Sequence, residues 1–491
     1  MENNRLMVIR SIPRTPADRR WLSLFVLCAG FLLIVVDATI VNVALPSIRR
    51  DLGFSESSLA WVVNAYLIAY GGLLLLAGRL GDLLGRRGIF LAGLALFTAA
   101  SVLCGLSFSQ PMLIAARFIQ GVGGAVSSAV ILAMIVTMFP APAEQARAFG
   151  LFSVVASAGA AIGLLAGGFI TQAVSWHWIF FVNLPLGVAT CLLAWKLVEP
   201  DRGLGLAEGA DVLGAALVTA ALMLAVYTIV DSSNYGLGSA HTVGFAAVAV
   251  ALLAAFVARQ FTARKPILPL RLFRSRTLTA ANLVQTWMVA GFFAFFFLGS
   301  LDLERVLGYG PLAIGLAFLP VAVAMGGLSI RTSAWLITRF GARRVLLVGQ
   351  ALVGLGLLGM AIAPEQSDYL RDLFLPMVLL GVGGGLAFPA LTMIAMSGAE
   401  PADSGVASGL LNTTAQVGGA LGLAVLATVA SGRTGVLMVS GQDAASALSG
   451  GFHMAWAIGA GLVAVAIAMS ATLLRPEVRA ADQLEEEQAV A

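Results

Sequence analysis

Residues 35–46 read VVDATIVNVALP, within the first long apolar run of the chain. From Trp21 to Pro46 that run has about the length of helix a bilayer requires, and Asp37 is its one ionisable residue. A carboxylate in hydrocarbon costs roughly 2.5–3.5 kcal/mol on insertion scales, so such residues are rare and usually functional. Asp37 stands about eight residues short of Leu45, or ~12 Å along a helix. A short side chain cannot snorkel that far, so Asp37 reads as a functional acid rather than an interfacial one.

The apolar setting extends over the whole chain. Its 491 residues are 59% hydrophobic and 11% charged, with a mean hydropathy of +0.94. Soluble proteins carry about 25% charged residues, so most of this chain belongs in lipid. The net charge of +4 comes almost entirely from arginine and is scattered among segments that flank apolar runs, which argues against a nucleic-acid face. Cys28, Cys104 and Cys191 all fall in apolar runs, so no disulfide framework is expected. Arg5, Arg10, Arg14, Arg19 and Arg20 precede the first run, which is too long for a signal-peptide core and reads as an uncleaved span.

Windows near bilayer length fall at 21–46, 57–78, 88–107, 111–137, 148–170, 178–198, 211–230, 242–262, 277–300, 311–333, 345–363, 373–396, 404–430 and 452–474. These predict fourteen transmembrane helices, an all-α membrane protein. The positive-inside rule sets their orientation. Arg79, Arg86 and Arg87, the run from Arg259 to Arg276, and Arg339, Arg343 and Arg344 share one side with both tails. The opposite loops hold only Arg49, Arg50, Arg305, Arg371 and Arg433. Both termini are therefore expected in the cytoplasm, and His177, His241 and His453 at the outer interface.

The chain also resembles itself. Leu52-Gly53-Phe54 matches Leu307-Gly308-Tyr309, and Gly71-Gly72-Leu73 matches Gly326-Gly327-Leu328, both at an offset of 255. Gly121-Val122-Gly123-Gly124 recurs as Gly381-Val382-Gly383-Gly384 at 260, and Gly150-Leu151 with Gly163-Leu164 recur as Gly409-Leu410 with Gly422-Leu423 at 259. A nearly constant offset over several spans predicts a duplicated six-helix unit. The expected organisation is a cytoplasmic segment 1–20, a six-helix bundle 21–198, a linker 199–276 with two extra helices and a basic cytoplasmic loop, a second bundle 277–474, and a disordered tail 475–491. Paired halves of this kind place a substrate site near the midplane. The halves differ chemically: Asp37 aligns with Phe292, inside the run Phe292-Phe293-Ala294-Phe295-Phe296-Phe297, and Arg117 aligns with Met377. The phenylalanines are open to two readings, lipid-facing bulk or cavity wall.

Span four carries LIAARFIQGVGGA, with Arg117 about six residues inside its end, or ~9 Å, similar to the depth of Asp37. The two can neutralise each other if their helices adjoin. Burial then favours the neutral acid and Arg117 the carboxylate, and an acid balanced between two protonation states suits proton coupling. Candidate cavity residues are Thr39, Asn42, Gln120, Phe292, Phe296, Asn412 and Gln416. In span thirteen Ser408, Asn412 and Gln416 share one face; they either line a cavity or hold helices together, and interhelical hydrogen bonding is the preferred reading. The Asn412-Thr413-Thr414 sequon lies inside a span and is discounted as a glycosylation site.

The loop after span two reads Gly78-Arg79-Leu80-Gly81-Asp82-Leu83-Leu84-Gly85-Arg86-Arg87. Its pattern G-x-L-x-D-x-x-G-R-R resembles the signature loop of the major facilitator superfamily. Together with DATIVNVALP, the Arg117 motif and WHWIFFVNLPLG (176–187), nearly the whole chain is similar to the fourteen-span drug–proton antiporters of that superfamily. The resemblance implies two bundles rocking about a central cavity, with Asp37 and Arg117 in proton coupling. It implies that Gly78, Asp82, Gly85, Arg86 and Arg87 form a conformational latch. The span-five packing motif corresponds to Gly159, Gly163, Gly167 and Gly168, with Leu164 where the family carries proline.

The expected function is therefore a proton-coupled secondary transporter of the cell membrane, exporting amphipathic small molecules as a monomer by alternating access. The alternative is a facilitator or symporter for a small metabolite. No phosphate-binding GxxxxGK[ST] loop occurs, which excludes direct use of ATP through that motif. No HExxH or GxSxG pattern occurs either, and three scattered histidines build no metal site, so neither an enzyme nor a cofactor is expected. The expected partners are substrate, protons and membrane lipid.

Overall fold

The computed structural model describes residues 16–139, 142–201, 203, 205, 209–236, 238–264, 266–327, 332–364, 367–398 and 404–474. The acidic tail and Arg5, Arg10 and Arg14 lie outside these residues. Regular structure among them is helical: α1 (Pro16–Leu52), α2 (Glu56–Leu84), α3 (Arg86–Gly105), α4 (Gln110–Met138), α5 (Pro142–Ala173), α6 (Trp178–Phe181) and α7 (Asn183–Leu197). These are followed by α8 (Val212–Tyr235), α9 (Ala240–Thr262), α10 (Arg276–Arg305), α11 (Pro311–Gly327), α12 (Ser333–Phe340) and α13 (Ala342–Ala361). The chain ends with α14 (Phe374–Ser397), α15 (Ser404–Val439) and α16 (Ala444–Leu473).

Twelve of the described helices are long and apolar enough to cross a membrane. The expected windows at 148–170 and 311–333 fall on α5 and α11, whose described apolar stretches are Ala158–Ala173 and Pro311–Gly327. The chain is thus a multi-pass membrane protein.

Helix starts follow local chemistry. Ser55 caps α2 in a capping box with Ser58, and Asp211, Ser239 and Ser275 cap α8, α9 and α10 with their side chains. Asp443 accepts from the amides of Ser446 and Ala445, both at 3.1 Å, and these bonds hold its carboxyl below the usual carboxylate range. The first helix does not stop at Pro46 as the span window suggested but continues to Leu52.

Packing is dominated by α1 on α5, α2 and α3 on α4, α10 on α15 and α16, and α13 on α14. The largest contacts between the first helices of the sequence and the last are α2 with α15 and α5 with α11; α1 adds smaller ones with α10 and α11. Gly159, Gly163 and Gly167 are where α5 meets α1. A Cβ on Gly163 would meet Thr39 Oγ1, and would lie 2.8 Å from Val36 O; one on Gly167 would lie 2.8 Å from Ile40 O. Gly168 turns the other way, and its Cβ would lie 2.7 Å from Pro311 O on α11. These small residues let backbones approach within van der Waals contact, the means by which helices associate in lipid.

The hairpin α8–α9 packs through α8 on both α2 and α15. Gly72 leaves room for Thr219, and the Thr428 hydroxyl donates to Ile229 O at 3.4 Å. Its base is pinned by Asp211, which accepts from Arg259 Nε at 3.0 Å, Gln260 Nε2 at 3.2 Å and the Gly214 amide at 3.0 Å.

Candidate functional site

Asp37 on α1 and Arg117 on α4 are fully buried and meet. Arg117 Nη1 donates to Asp37 Oδ2 at 2.6 Å, while Gln120 Nε2 and Asn183 Nδ2 donate to Oδ1 at 2.7 and 3.1 Å. Arg117 Nε donates to Val62 O at 3.0 Å, and Nη1 also donates to Gln120 Oε1 at 2.6 Å. The guanidinium carbon lies 4.4 Å from the Tyr66 ring centre, a cation–π distance. Asn183 is in turn tied to Ser101 at 2.9 Å, and Ser101 to Phe180 O at 2.9 Å. Thus α4 and α7 reach the carboxylate on α1 directly, and α3 braces it through Asn183. A buried pair repays its desolvation only when its remaining hydrogen-bonding capacity is met, and here three donors meet the acid.

Gln120, expected at a cavity wall, is instead fully buried, because it stands one turn from Arg117 on the face that braces Asp37. Asn183 escaped the sequence reading. It sits in the quoted WHWIFFVNLPLG stretch, but nothing local ties it to position 37.

Beside this network opens a cavity of about 1190 Å³. Its inner wall includes Thr39, Asn42, Tyr66, Arg117, Phe292 and Phe296. Phe292 stacks edge-on against Phe296 and Phe388, at 5.8 and 5.7 Å. Asn412 and Gln416 also face the cavity; the Asn412 amide is spent on Ser408 O of its own helix at 3.1 Å. Interhelical bonds from α15 are made instead by Thr414, to Asn282 at 2.9 Å, and by Thr428, to Ile229 O at 3.4 Å. The preferred reading of Asn412 and Gln416 as ties between helices is thereby corrected: that face of α15 looks into the cavity.

The cavity reaches the surface where α2 ends, lined there by Arg79, Asp82, Arg86, Pro266, Ile267 and Arg271. Asp82 and Arg86 pair with each other at 3.0 Å, and Arg87 donates to Trp195 O. The amides of Arg86 and Arg87 donate to Asp201 at 2.7 and 3.0 Å, so Asp201 caps α3. Gly85 has φ +97° at this turn, a region open to glycine, and Gly78 has open space around it.

The far end is closed by contacts between α1 and α10. Pro46 has no N–H, so the Asn42 carbonyl four residues earlier lacks its helical donor. Ser300 Oγ of α10 supplies one at 2.7 Å. Nearby, Arg50 Nε pairs with Glu304 at 3.3 Å. Among the described residues no cluster of metal-ligating side chains occurs.

A sequence profile described as Major Facilitator Superfamily matches residues 27–423. The chain belongs to the major facilitator superfamily. This superfamily member is 39% identical over 414 residues to the cephamycin export protein of Amycolatopsis lactamdurans, covering 84% of this chain and 85% of that protein. It is 35% identical over 475 residues to the puromycin resistance protein of Streptomyces alboniger, covering 95% and 94%. Its fold is similar to the inward-facing, unoccupied structure of a bacterial homologue of the human lysosomal transporter Spinster. That likeness has a TM-score of 0.65 at 17% identity, covering 93% of this chain and 98% of the other. An autoinhibited POT-family peptide transporter is similar at a TM-score of 0.67 and 17% identity, covering 94% and 98%. The chain is accordingly a membrane transporter and not an enzyme.

Proposed function

We propose that this transporter exports amphipathic small molecules from the cell, drug or antibiotic-like in kind, and that inward proton flow drives it. The observation that carries this reading is the buried Asp37–Arg117 pair, set beside a large aromatic cavity whose lining extends to the end of α2. Export by the Amycolatopsis relative supports the direction, and the puromycin resistance of the Streptomyces relative agrees with it.

In this reading the chain crosses the cell membrane fourteen times, as two six-helix units, 21–198 and 277–474, with α8 and α9 between them. The tails and the 259–276 loop are cytoplasmic, so the structure faces inward. Matching left-handed glycines support the duplication: Gly53 and Gly308 at φ +70° and +72°, Gly85 and Gly341 at +97° and +84°.

The cycle follows from the charges. In the outward-facing state Asp37 takes a proton, which releases Arg117 and loosens the tie between α1 and α4. In the inward-facing state the proton leaves and the pair re-forms as seen here. Gly78, Asp82, Gly85, Arg86 and Arg87 serve as a latch that joins the halves when the cytoplasmic mouth closes; with the mouth open, Asp82 and Arg86 rest on each other. A monomer suffices, since both halves of the cavity come from one chain. Leu164, in place of proline, favours as second reading a facilitator or symporter.

Inverted vesicles with an imposed pH gradient test the proposal. Acidifying the lumen should drive accumulation of a hydrophobic drug from the medium, and collapsing the gradient should abolish it. Accumulation indifferent to the gradient would defeat proton coupling. Substrate-driven efflux from the lumen would favour the symporter.

A further inference from the structure

The α8–α9 hairpin stands between two bundles that the rocking cycle moves apart, and its contacts decide which of them carries it. The inference rests on that cycle only in treating the two bundles as moving bodies.

On the side of the first bundle the hairpin is held at several levels. The chain leading into it lies on the α2–α3 turn: Asp201 accepts from the Arg86 and Arg87 amides at 2.7 and 3.0 Å, and the Gly205 amide donates to Leu83 O at 3.0 Å. A carboxylate on the free amides of a helix start makes charge-assisted bonds, among the stronger kinds. Gly203 lies so close that a Cβ would collide with Leu83 O, and Arg79 Nε donates to Gly209 O at 3.4 Å. Asp211 then ties the start of α8 to Arg259 and Gln260 at the end of α9. Further along α8, Thr219 fills the notch at Gly72, where a Cβ would lie 2.6 Å from its Oγ1. Leu222, Val226 and Val230 share one buried core with Tyr66, Leu67 and Leu74 of α2.

Contacts toward the second bundle are of another kind. The same core takes from α15 the short side chains of Ala420 and Ala424, which offer little to interlock with. The Thr428 hydroxyl meets Ile229 O at 3.4 Å, long for a bond whose usual length is about 2.7–2.8 Å. Among the described residues, the second bundle's own core around Leu278, Leu346 and Leu391 contains no residue of α8 or α9. It does contain Leu272, from the 3-10 turn Leu270–Arg274 that precedes α10. The Thr279 hydroxyl of α10 fastens that turn by donating to Phe273 O at 3.1 Å. Leu268, by contrast, donates its amide back to Gln260 Oε1 on α9 at 3.1 Å. The chain thus changes allegiance across Pro269, which lines the mouth of the cavity with Pro266 and Ile267.

We infer that the hairpin is a fixed part of the first bundle, that α8 slides over α15 when the transporter changes state, and that the moving joint is the short segment at Pro269 rather than the α7–α8 connection. A hinge needs only a few residues between packed elements.

Spin labels at Leu106 in the first bundle, Ile362 in the second and Val243 on α9, all exposed, test this two at a time. The full chain, in a background lacking native cysteines, is placed in nanodiscs, and its state is shifted by acidic against alkaline buffer and by Asp37→Asn. The Val243–Leu106 distance should stay fixed, while Val243–Ile362 shifts in step with Leu106–Ile362. A hairpin that follows Ile362, or that changes its distance to both bundles, overturns the inference and leaves the cycle standing. Three unmoved distances would overturn the cycle and the inference together. A pair of locks supplies a second measurement. A Cβ at Gly72 lies 3.4 Å from that of Thr219, close to the spacing that disulfides use. Oxidised Gly72→Cys/Thr219→Cys should transport a hydrophobic drug in inverted vesicles at the rate of its reduced form. A short thiol cross-linker joining Ile229→Cys to Thr428→Cys should abolish transport until reductant is added. Transport that the first lock stops, or that the second spares, would overturn the inference.

Discussion

Asp37→Asn is the substitution that most directly probes the buried pair. It preserves size and removes the charge. The carboxylate accepts on both oxygens: Arg117 at 2.6 Å on one, Gln120 at 2.7 Å and Asn183 at 3.1 Å on the other. Asparagine offers one acceptor oxygen and one NH2. If its oxygen stays with Arg117, its NH2 points at two donors; if it is turned over, the NH2 points at the guanidinium. Gln120 cannot turn its own oxygen inward without taking it from Arg117, to which it is bound at 2.6 Å. Every arrangement orphans a buried donor, at about 1–3 kcal/mol. Arg117 also loses its counter-charge, which brings the total to roughly 3–5 kcal/mol, the cost of breaking a buried pair from one side. The variant should therefore be measurably less stable in denaturant titration yet still fold, since the remaining helix packing is untouched. In vesicles, uphill proton-driven export should vanish while exchange of substrate down its own gradient survives in part. A variant of native stability that exports uphill at the normal rate would refute both the network reading and the coupling role.

Three further outcomes follow from the packing and the charges. Gly163→Ala should destabilise by about 1–3 kcal/mol in thermal unfolding, because its methyl meets Thr39 and Val36 on α1. Gly78→Ala, with open space around it, should leave stability equal or better by about 0.5–1 kcal/mol yet slow turnover if α2 must close on the other half; normal turnover would remove Gly78 from the latch. Glu304→Gln breaks the α1–α10 ion pair, whose arginine side chain is 65% exposed, so about 0.5–1 kcal/mol remains after solvent screening. That shifts the open–closed ratio at this end about 2–5-fold toward open, readable from spin-label distances between α1 and α10 and reversed in Arg50→Glu/Glu304→Arg; an unchanged distribution would dismiss the pair as a gate. For orientation, in a background lacking native cysteines, an impermeant thiol reagent added outside should label a cysteine at Gly238 and spare one at Ser275. The reverse pattern would invert the topology.

Asp37 and Arg117 were legible in the sequence because charge is rare in apolar windows and each stood alone at a similar depth. The helices were legible for the same reason, from length and hydropathy. What stayed hidden depends on the third dimension. Asn183 and Gln120 are ordinary polar residues until α7 and α4 bring them to one carboxylate. Asp211 carried a signal that could have been used: an acid directly before an apolar run is an N-cap pattern, and it caps α8. The Arg50–Glu304 contact was also foreshadowed. At the internal offset of 255, Glu304 falls opposite Arg49, so corresponding ends of α1 and α10 are the ones that meet. The role of Pro46 needed the partner: only with Ser300 in place does a missing N–H become a tie between helices.

The position of α8 has a mechanical consequence. It touches α2 at Gly72 and α15 at Thr428, so it lies along the contact between these two helices, which the proposed cycle makes a seam between moving halves. Protein stands along that seam where acyl chains would otherwise press. The opposite seam, α5 against α11, has no such cover among the described residues. In the proposed cycle, bilayer thickness and lateral pressure would then act on the two sides unequally, and a lipid that alters opening would do so through the α5–α11 side.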